Sequence, residues 1–550
     1  MKFRCLAAVY LVLIATSANI LPAAGSILLP STYGSNMVLK HSTPQTFWGI
    51  AGKGDKVTLT ISDKSYSETT PADPDTGRFS FVLPSHPPTK AGDPVVNITV
   101  SSSSDGAVSL TDAVWGEVIL CGGQSNMAIS VQMAMNASWE IEHAGHPNLR
   151  LLQVANLDSF ARQSTPLENT TMSLTWSKSA PDTVPLFSAV CYYTGVNVLD
   201  SILNDRMPLG LIESCWGGTP IETWMPPSAL EKCGKGEHRL NKQRMQLEIK
   251  TRDMLSHMPP YLRKAYHLGG PHTPSALYNA MIHPLLNTRI SGVLWYQAES
   301  NVGPPPAAAQ YADCFKELIL DWRSEFAGKA PSELKLQEDA DFGFVFVQIS
   351  DWPYDGDQIS EMRFAQTAAL ALPKTGMVVA ADIGDVASPN NNIHPDNKQE
   401  VGRRASYVFD GVVFGNDKTT YRGPRPIGIK ASNWHQSWGN FHSGTGEYGY
   451  CNLTTVVRCV GIVINFDQNV YSRRLLNPQM RSGFELWVGT LWQPVSMTGV
   501  INETAIQLNV TADAGFPRPL RYGWGMYPYM HLYNDLEFPV APFNITIDPQ

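Results

Sequence analysis

The sequence predicts an α/β centre on a largely parallel sheet flanked by helices, set between N-terminal and C-terminal β-rich, sandwich-like domains. Three observations lead there. In the middle of the chain, apolar strand candidates at Val114–Leu120, Met207–Ile212, Ile290–Tyr296, Phe342–Ile349 and Met377–Ala381 are separated by stretches long enough for helices, the pattern of parallel strands joined by crossovers. Before them, short β-type runs such as Gln45–Gly49 and Lys56–Ile61 alternate with turns such as Pro74-Asp-Thr-Gly77, as in a small sandwich. Beyond residue 415, β-type runs return at Val456–Asn465 and Phe484–Gly489, joined by proline- and glycine-rich connections near Arg422–Pro426. The expected division is a leader over 1–25, an N-terminal β-sandwich domain over 26–113, the α/β domain over 114–414 and a C-terminal β-rich domain over 415–550.

Each part has its own logic. Residues 1–25 open on Lys2 and Arg4, continue as an apolar run and end on small residues at Ala23-Ala24-Gly25, the build of a secretory signal. The run is shorter than the ~20 residues a membrane span needs, so the mature chain is expected to be free of the membrane. Sequons at Asn97, Asn136, Asn169, Asn452, Asn502, Asn509 and Asn544 agree with export and glycosylation, and export makes cysteines candidate disulfides. Of eight cysteines, Cys5 leaves with the leader. The odd remainder requires at least one free or intermolecular thiol. Cys451 and Cys459 are the expected pair, because they lie in a β-rich stretch at a spacing a hairpin could close. No Cys-x-x-Cys or Cys/His spacing suggests zinc at the cysteines. The formal net charge of −8 argues against nucleic acid as a partner. It does not choose between a lysosomal and an extracellular location.

Within the centre, two insertions are expected. Residues 132–185 read as loop-rich, and 231–265, with Lys242–Lys250, have the composition of a solvated helix. Sites in parallel sheets gather at the carboxyl ends of the strands. Four segments stand there: Ser125, Trp216-Gly-Gly218, Gln297-Ala-Glu299 and the loop Asp382–His394.

The run Val118-Ile-Leu-Cys-Gly-Gly-Gln-Ser125 delivers a serine just past a strand, where backbone N–H groups can hold a developing oxyanion. Ser125 is the candidate nucleophile; the competing reading is a simple helix cap. Met127 breaks the Gly-x-Ser-x-Gly pattern, so an ordinary nucleophile elbow is disfavoured. The base is sought among thirteen histidines. His283 and His394 share an Ile-His-Pro frame, and His394 is preferred because it closes a loop after a late strand, His283 being structural or substrate-lining. Gly217 can supply a second backbone donor and Gln297 a side-chain amide, while Glu299 can orient the imidazole. A plain tight turn and solvated loop residues are the competing readings of these positions.

Gly-Gly-Gln-Ser125-Asn-Met, Trp216-Gly-Gly-Thr-Pro-Ile-Glu222, Leu277–Pro284, Gly292–Asn301 and Ile393-His-Pro, in that order, resemble the sialate O-acetylesterase family of SGNH-type hydrolases. The likeness covers roughly 115–410. It implies an SGNH-hydrolase-like central sheet and hydrolysis of O-acetyl esters on sialic acids, 9-O-acetyl and related, with sialic acids or sialoglycans as partners and no cofactor. Ser125 would be nucleophile and His394 base, with the N–H groups of Ser125 and Gly217 and the Gln297 amide holding the oxyanion. Trp216, Trp295 and Asn301 would line the sugar; Trp224 could stack on it too.

Two departures qualify this. Asn391 and Asn392 stand where related enzymes often place an aspartate before the histidine, which leaves Glu299 as preferred orienting acid, Asp385 and Asp382 as alternatives, or a Ser-His dyad. Ala298 stands where the family motif usually has glycine, a cost of order one kcal/mol or more if the backbone is left-handed there. These departures motivate two competing functions: an acetylesterase for other acetylated carbohydrates, and a catalytically weak or silent glycan-binding protein.

Overall fold

The computed structural model describes residues 27–90, 92–157, 163–233, 271–328, 342–351, 357–433, 458–473, 483–488, 490–512 and 518–547. In the N-terminal part, Gln45–Ile50 pairs antiparallel with Arg78–Leu83. Lys56–Ile61 pairs with Ser67–Pro71 and with Val96–Ser102. Lys56–Ile61 and Arg78–Leu83 bury every second side chain, as strands with one solvated face do.

The central sheet is built from β1 (Gly106–Gly123), β2 (Leu149–Val154), β3 (Met172–Lys178), β4 (Leu209–Cys215), β5 (Gly292–Tyr296), β6 (Gly343–Gln348) and β7 (Thr375–Val379), in the spatial order β7-β6-β5-β1-β4-β2-β3. All neighbours are parallel except β2 and β3 at one edge. β4, β5 and β6 are buried along their whole length, because helices cover both faces of a parallel sheet. The five strand candidates read from the sequence are β1, β4, β5, β6 and β7. The stretch 132–185, expected to be loop-rich, instead holds β2 and β3; their short apolar runs are easily hidden among turn residues. The other insertion, with Lys242–Lys250, lies outside the described residues.

β1 is the long element of the molecule. Its first part pairs with Val96–Ser102 and its last part with β4 and β5, so it runs from the N-terminal strands into the centre, through the expected division near residue 113. One apolar cluster accordingly spans both regions. At the joint, the buried Glu117 carboxylate meets Lys40 Nζ at 3.2 Å, His41 Nε2 at 2.7 Å and the Ser291 hydroxyl.

The helices that matter for the site are α1 (Ser125–Ala128), α2 (Ala189–Asn197), α3 (Ala307–Gly328) and α4 (Lys398–Val408). α4 is capped by the Asn397 side chain, which accepts from the Glu400 N–H. Beyond it, among the described residues, a seven-stranded antiparallel sheet between Pro426 and Ile547 carries a separate core around Ile462, Ile464, Phe484, Leu486 and Leu520. Among the described residues no helix is long and apolar enough to cross a membrane.

The disulfides join Cys121 on β1 to Cys191 on α2, and Cys233 to Cys314 on α3. Cys215 is free and buried. Cys451 lies outside the described residues, so the pairing expected of it with Cys459 has no structural account here. The Cys121–Cys191 bridge closes a sequence separation of 70, for which chain entropy gives about 4 kcal/mol. Replacing both cysteines by alanine should lower stability by about that amount, read from an earlier urea midpoint together with a slope that steepens as the denatured chain loses its crosslink.

Candidate active site

The geometry begins with a glycine. Gly123 ends β1 at φ 139°, and a Cβ built there would lie 2.1 Å from the Tyr296 carbonyl oxygen; only glycine permits that approach and that conformation. The chain leaves the sheet at this point. Gln124 N–H donates to the Tyr296 carbonyl at 3.0 Å, and the next residue is Ser125, partly exposed at the start of α1.

His394 arrives from the loop between β7 and α4. Asn390 Nδ2 anchors that loop to the Met133 carbonyl at 2.8 Å, and the Ser388 hydroxyl donates to the His394 carbonyl. The two candidates, 269 positions apart, meet with His394 Nε2 2.8 Å from Ser125 Oγ. His394 Nδ1 lies 2.9 Å from the Asn390 carbonyl oxygen. A carbonyl can only accept, so Nδ1 carries the proton and Nε2 of the neutral ring accepts from the serine hydroxyl. Burial pushes the His394 pKa below its ordinary value; the Asn390 hydrogen bond opposes this and the Lys398 cation adds to it.

Gly217, after β4, stands beside Ser125: a Cβ there would lie 3.4 Å from Ser125 Cβ and 3.9 Å from its nitrogen. Gly217 and Gly218 are exposed, and Trp216 is half-buried with its N–H on the Gly123 carbonyl. Among the described residues the N–H groups of Ser125 and Gly217 have no acceptor.

Other expected residues are placed differently. Glu299 does not reach the imidazole; its Oε1 accepts from Asn126 Nδ2 at 2.6 Å, and the position beside Nδ1 belongs to the Asn390 carbonyl. Glu299 is 3% exposed, and burial raises its pKa against the Asn126 hydrogen bond. Asp385 accepts from the Ala387 N–H at 2.9 Å, while Asp382 is engaged by both terminal nitrogens of Arg404 at 2.7 and 2.8 Å. Gln297 is fully buried, and its amide nitrogen faces Asn301 Oδ1 at 2.8 Å and the Gln124 side chain and Thr219 carbonyl at 3.2 Å. Its carbonyl accepts from Tyr311 at 3.0 Å, so both ends brace the loops instead of facing Ser125. Asn301 accepts from the Ile221 N–H and donates to Glu222, both at 2.9 Å.

Trp295 is fully buried, edge-on to Trp224 and Trp322 at 6.0 and 5.5 Å, and Trp224 is buried with it. Neither ring is open to stack on a sugar; Trp216 is half-buried. His283 holds the Leu167 carbonyl through Nδ1 at 2.8 Å.

Sequence reasoning missed Asn126, Lys398 and the Asn390 carbonyl. Lys398 carried a signal: a lysine in the first turn of a helix opposes the helix dipole, so another partner has to account for it.

A family model described as "Carbohydrate esterase, sialic acid-specific acetylesterase" matches residues 262–407, which contain Gln297, Glu299 and His394. Human sialate O-acetylesterase is 31% identical over 548 residues, 94% of this chain and 92% of that protein. The chain belongs to the sialate O-acetylesterase family. The mouse sialate O-acetylesterase is 29% identical over 546 residues, 93% of this chain and 92% of its own. Among solved structures, a carbohydrate acetylesterase from Xanthomonas citri superposes with a TM-score of 0.71 at 24% identity, over 94% of this chain and 99% of that one. That likeness shows the fold, an α/β centre with β-rich flanks. Ala298, where the resemblance leads us to expect glycine, has φ 155° and ψ −18°, a region that costs an L-residue about 1–3 kcal/mol.

Ala298 and Ala405 are equally buried, yet glycine should act oppositely at the two. In the helical Ala405, substitution by glycine should cost about 1 kcal/mol; at Ala298 the relieved strain should leave stability unchanged or raised by up to about 1 kcal/mol. Paired urea titrations of the two variants check this, and an equal loss in both removes the strain argument.

Proposed function

We propose that this chain removes O-acetyl groups from sialic acids through an acetyl-serine intermediate. The observation that carries the reading is the 2.8 Å contact between Ser125 Oγ and a His394 whose tautomer is fixed from behind. Family membership supports the ester and sugar class: the human and mouse relatives are named for acetyl ester cleavage on sialic acid.

In the reaction, Ser125 Oγ attacks the acetyl carbonyl carbon while His394 Nε2 takes the hydroxyl proton. The carbonyl oxygen becomes an oxyanion, for which the N–H groups of Ser125 and Gly217 are the available donors. Collapse breaks the bond to the sugar oxygen, which leaves with the proton from His394. Water then gives its proton to the same nitrogen, attacks the acetyl-enzyme and releases acetate with Ser125 restored. Trp216 and the exposed Gly217-Gly218 backbone border the sugar. Gln297, Asn301 and Trp295 act behind them as scaffold.

The leader, the exposed sequon residues Asn136, Asn169, Asn502 and Asn544, and the two disulfides support passage through the secretory pathway to a secreted or lysosomal location. Asn97 is only partly exposed, and Asn452 lies outside the described residues.

Acetate release from 9-O-acetyl sialic acid should fall by about a thousandfold or more in Ser125→Ala and His394→Ala. Full turnover by Ser125→Ala would end the proposal. Because the His394 pKa is lowered, the neutral base persists to more acidic pH, so the acid limb of kcat/KM should lie below about pH 6.5. A limb above that value contradicts the site electrostatics.

A further inference from the structure

Beneath Ser125 and His394 runs a buried polar chain that the reaction as written does not use. Its centre is Asn126, 1% exposed and adjacent to Ser125. Asn126 Nδ2 donates to Glu299 Oε1 at 2.6 Å and to the carbonyl of Ile393, the neighbour of His394, at 2.9 Å. On the opposite side Asn126 Oδ1 accepts from Lys398 Nζ at 2.6 Å. Lys398 is 1% exposed. A single amide therefore joins the serine turn, the loop after β5, the histidine loop and the first turn of α4.

The charges make this joint directional. Rotating the amide by half a turn would set its NH₂ against an ammonium and its oxygen against a carboxylate, so Lys398 and Glu299 together admit one orientation. Each also supplies the countercharge that makes burial of the other tolerable. Lys398 faces Glu299 and Asp396 as charged groups and the Tyr296 ring at 5.5 Å. The groups acting on His394 are the Asn390 carbonyl and Lys398.

We infer that Lys398, Asn126 and Glu299 are positioning residues that hold the histidine loop at proton-transfer distance from the serine turn. The inference rests on the serine reading above. None of the three touches Ser125 Oγ or the imidazole nitrogens, so their effect on turnover passes through Ser125 and His394.

The test uses the full chain, a nitrophenyl acetate and Lys398→Met, Glu299→Gln and the double variant, with Ser125→Ala as control. Each single variant should lose roughly ten- to hundredfold in kcat, as small misplacements of reacting groups do, with KM changed by less than about threefold. Removing the Lys398 cation favours the imidazolium, so Lys398→Met should move the acid limb to higher pH. A purely structural ion pair would leave that limb in place. The double variant, with no unmatched charge, should fold and lose at least about tenfold in kcat, yet less than the product of the two single losses. The inference is overturned by wild-type kcat in the double variant, by losses that simply multiply, or by an unmoved acid limb in folded Lys398→Met. Activity surviving in Ser125→Ala would instead remove the serine reading; a dead Ser125→Ala beside fully active Lys398 and Glu299 variants removes the positioning inference alone.

Discussion

The site depends on how closely two parallel strands approach at their carboxyl ends. β1 and β5 are in register with Gly123 opposite Tyr296, and there is no room for a Cβ between them. That constraint forces the chain out of the sheet at one place. It turns the Gln124 N–H onto the Tyr296 carbonyl and hands the Gly123 carbonyl to Trp216. The loops after β1, β4 and β5 are thereby clamped together by backbone, and the loop after β7 adds His394. Four strand ends thus bring the Ser125 hydroxyl, the His394 imidazole and the Gly217 backbone to one place, as parallel sheets commonly do.

The surroundings make this arrangement rigid. Gln297 and Asn301 use their amides as a second layer of backbone, linking the loops after β1, β4 and β5. On the far side, Arg404 grips Asp382 with two nitrogens and Glu400 with a third, and Tyr533 of the C-terminal strands donates to Asp382 at 3.0 Å. Charge-assisted, two-pronged contacts of this kind have a defined geometry. The C-terminal unit therefore helps fix the start of the histidine loop, and Arg363 ties the α/β centre to that unit separately by donating to the Gly525 carbonyl at 2.8 Å.

Much of this was legible in the sequence, for identifiable reasons. Apolar runs of strand length marked β1, β4, β5, β6 and β7, and motifs at their ends marked Ser125, Gly217 and His394 as neighbours. What stayed hidden depends on direction, which residue type does not disclose. Gln297 is a good donor, but four partners inside the fold claim its amide. Glu299 is a carboxylate near the site, but its Oε1 is taken by the Asn126 amide, and the Asn390 carbonyl holds the place behind the imidazole. Trp295 could have been read correctly: it lies inside β5, a strand buried on both faces, where an aromatic ring is core. The disulfides could not, since spacing alone does not determine connectivity.

The most consequential hidden feature is that a carbonyl, not a carboxylate, stands behind His394. A carboxylate fixes the tautomer and also stabilises the imidazolium with a full charge; a carbonyl fixes the tautomer with a dipole alone. Burial of His394, and then the Lys398 cation close by, shift the balance further toward the neutral form. A base of lowered pKa accepts a proton less avidly, which costs rate in the attack step. It also remains unprotonated where an ordinary histidine would already be charged. Burial of His394 and the Lys398 cation thus exchange some intrinsic reactivity for a base that stays available in acidic surroundings, against the opposing pull of the Asn390 carbonyl.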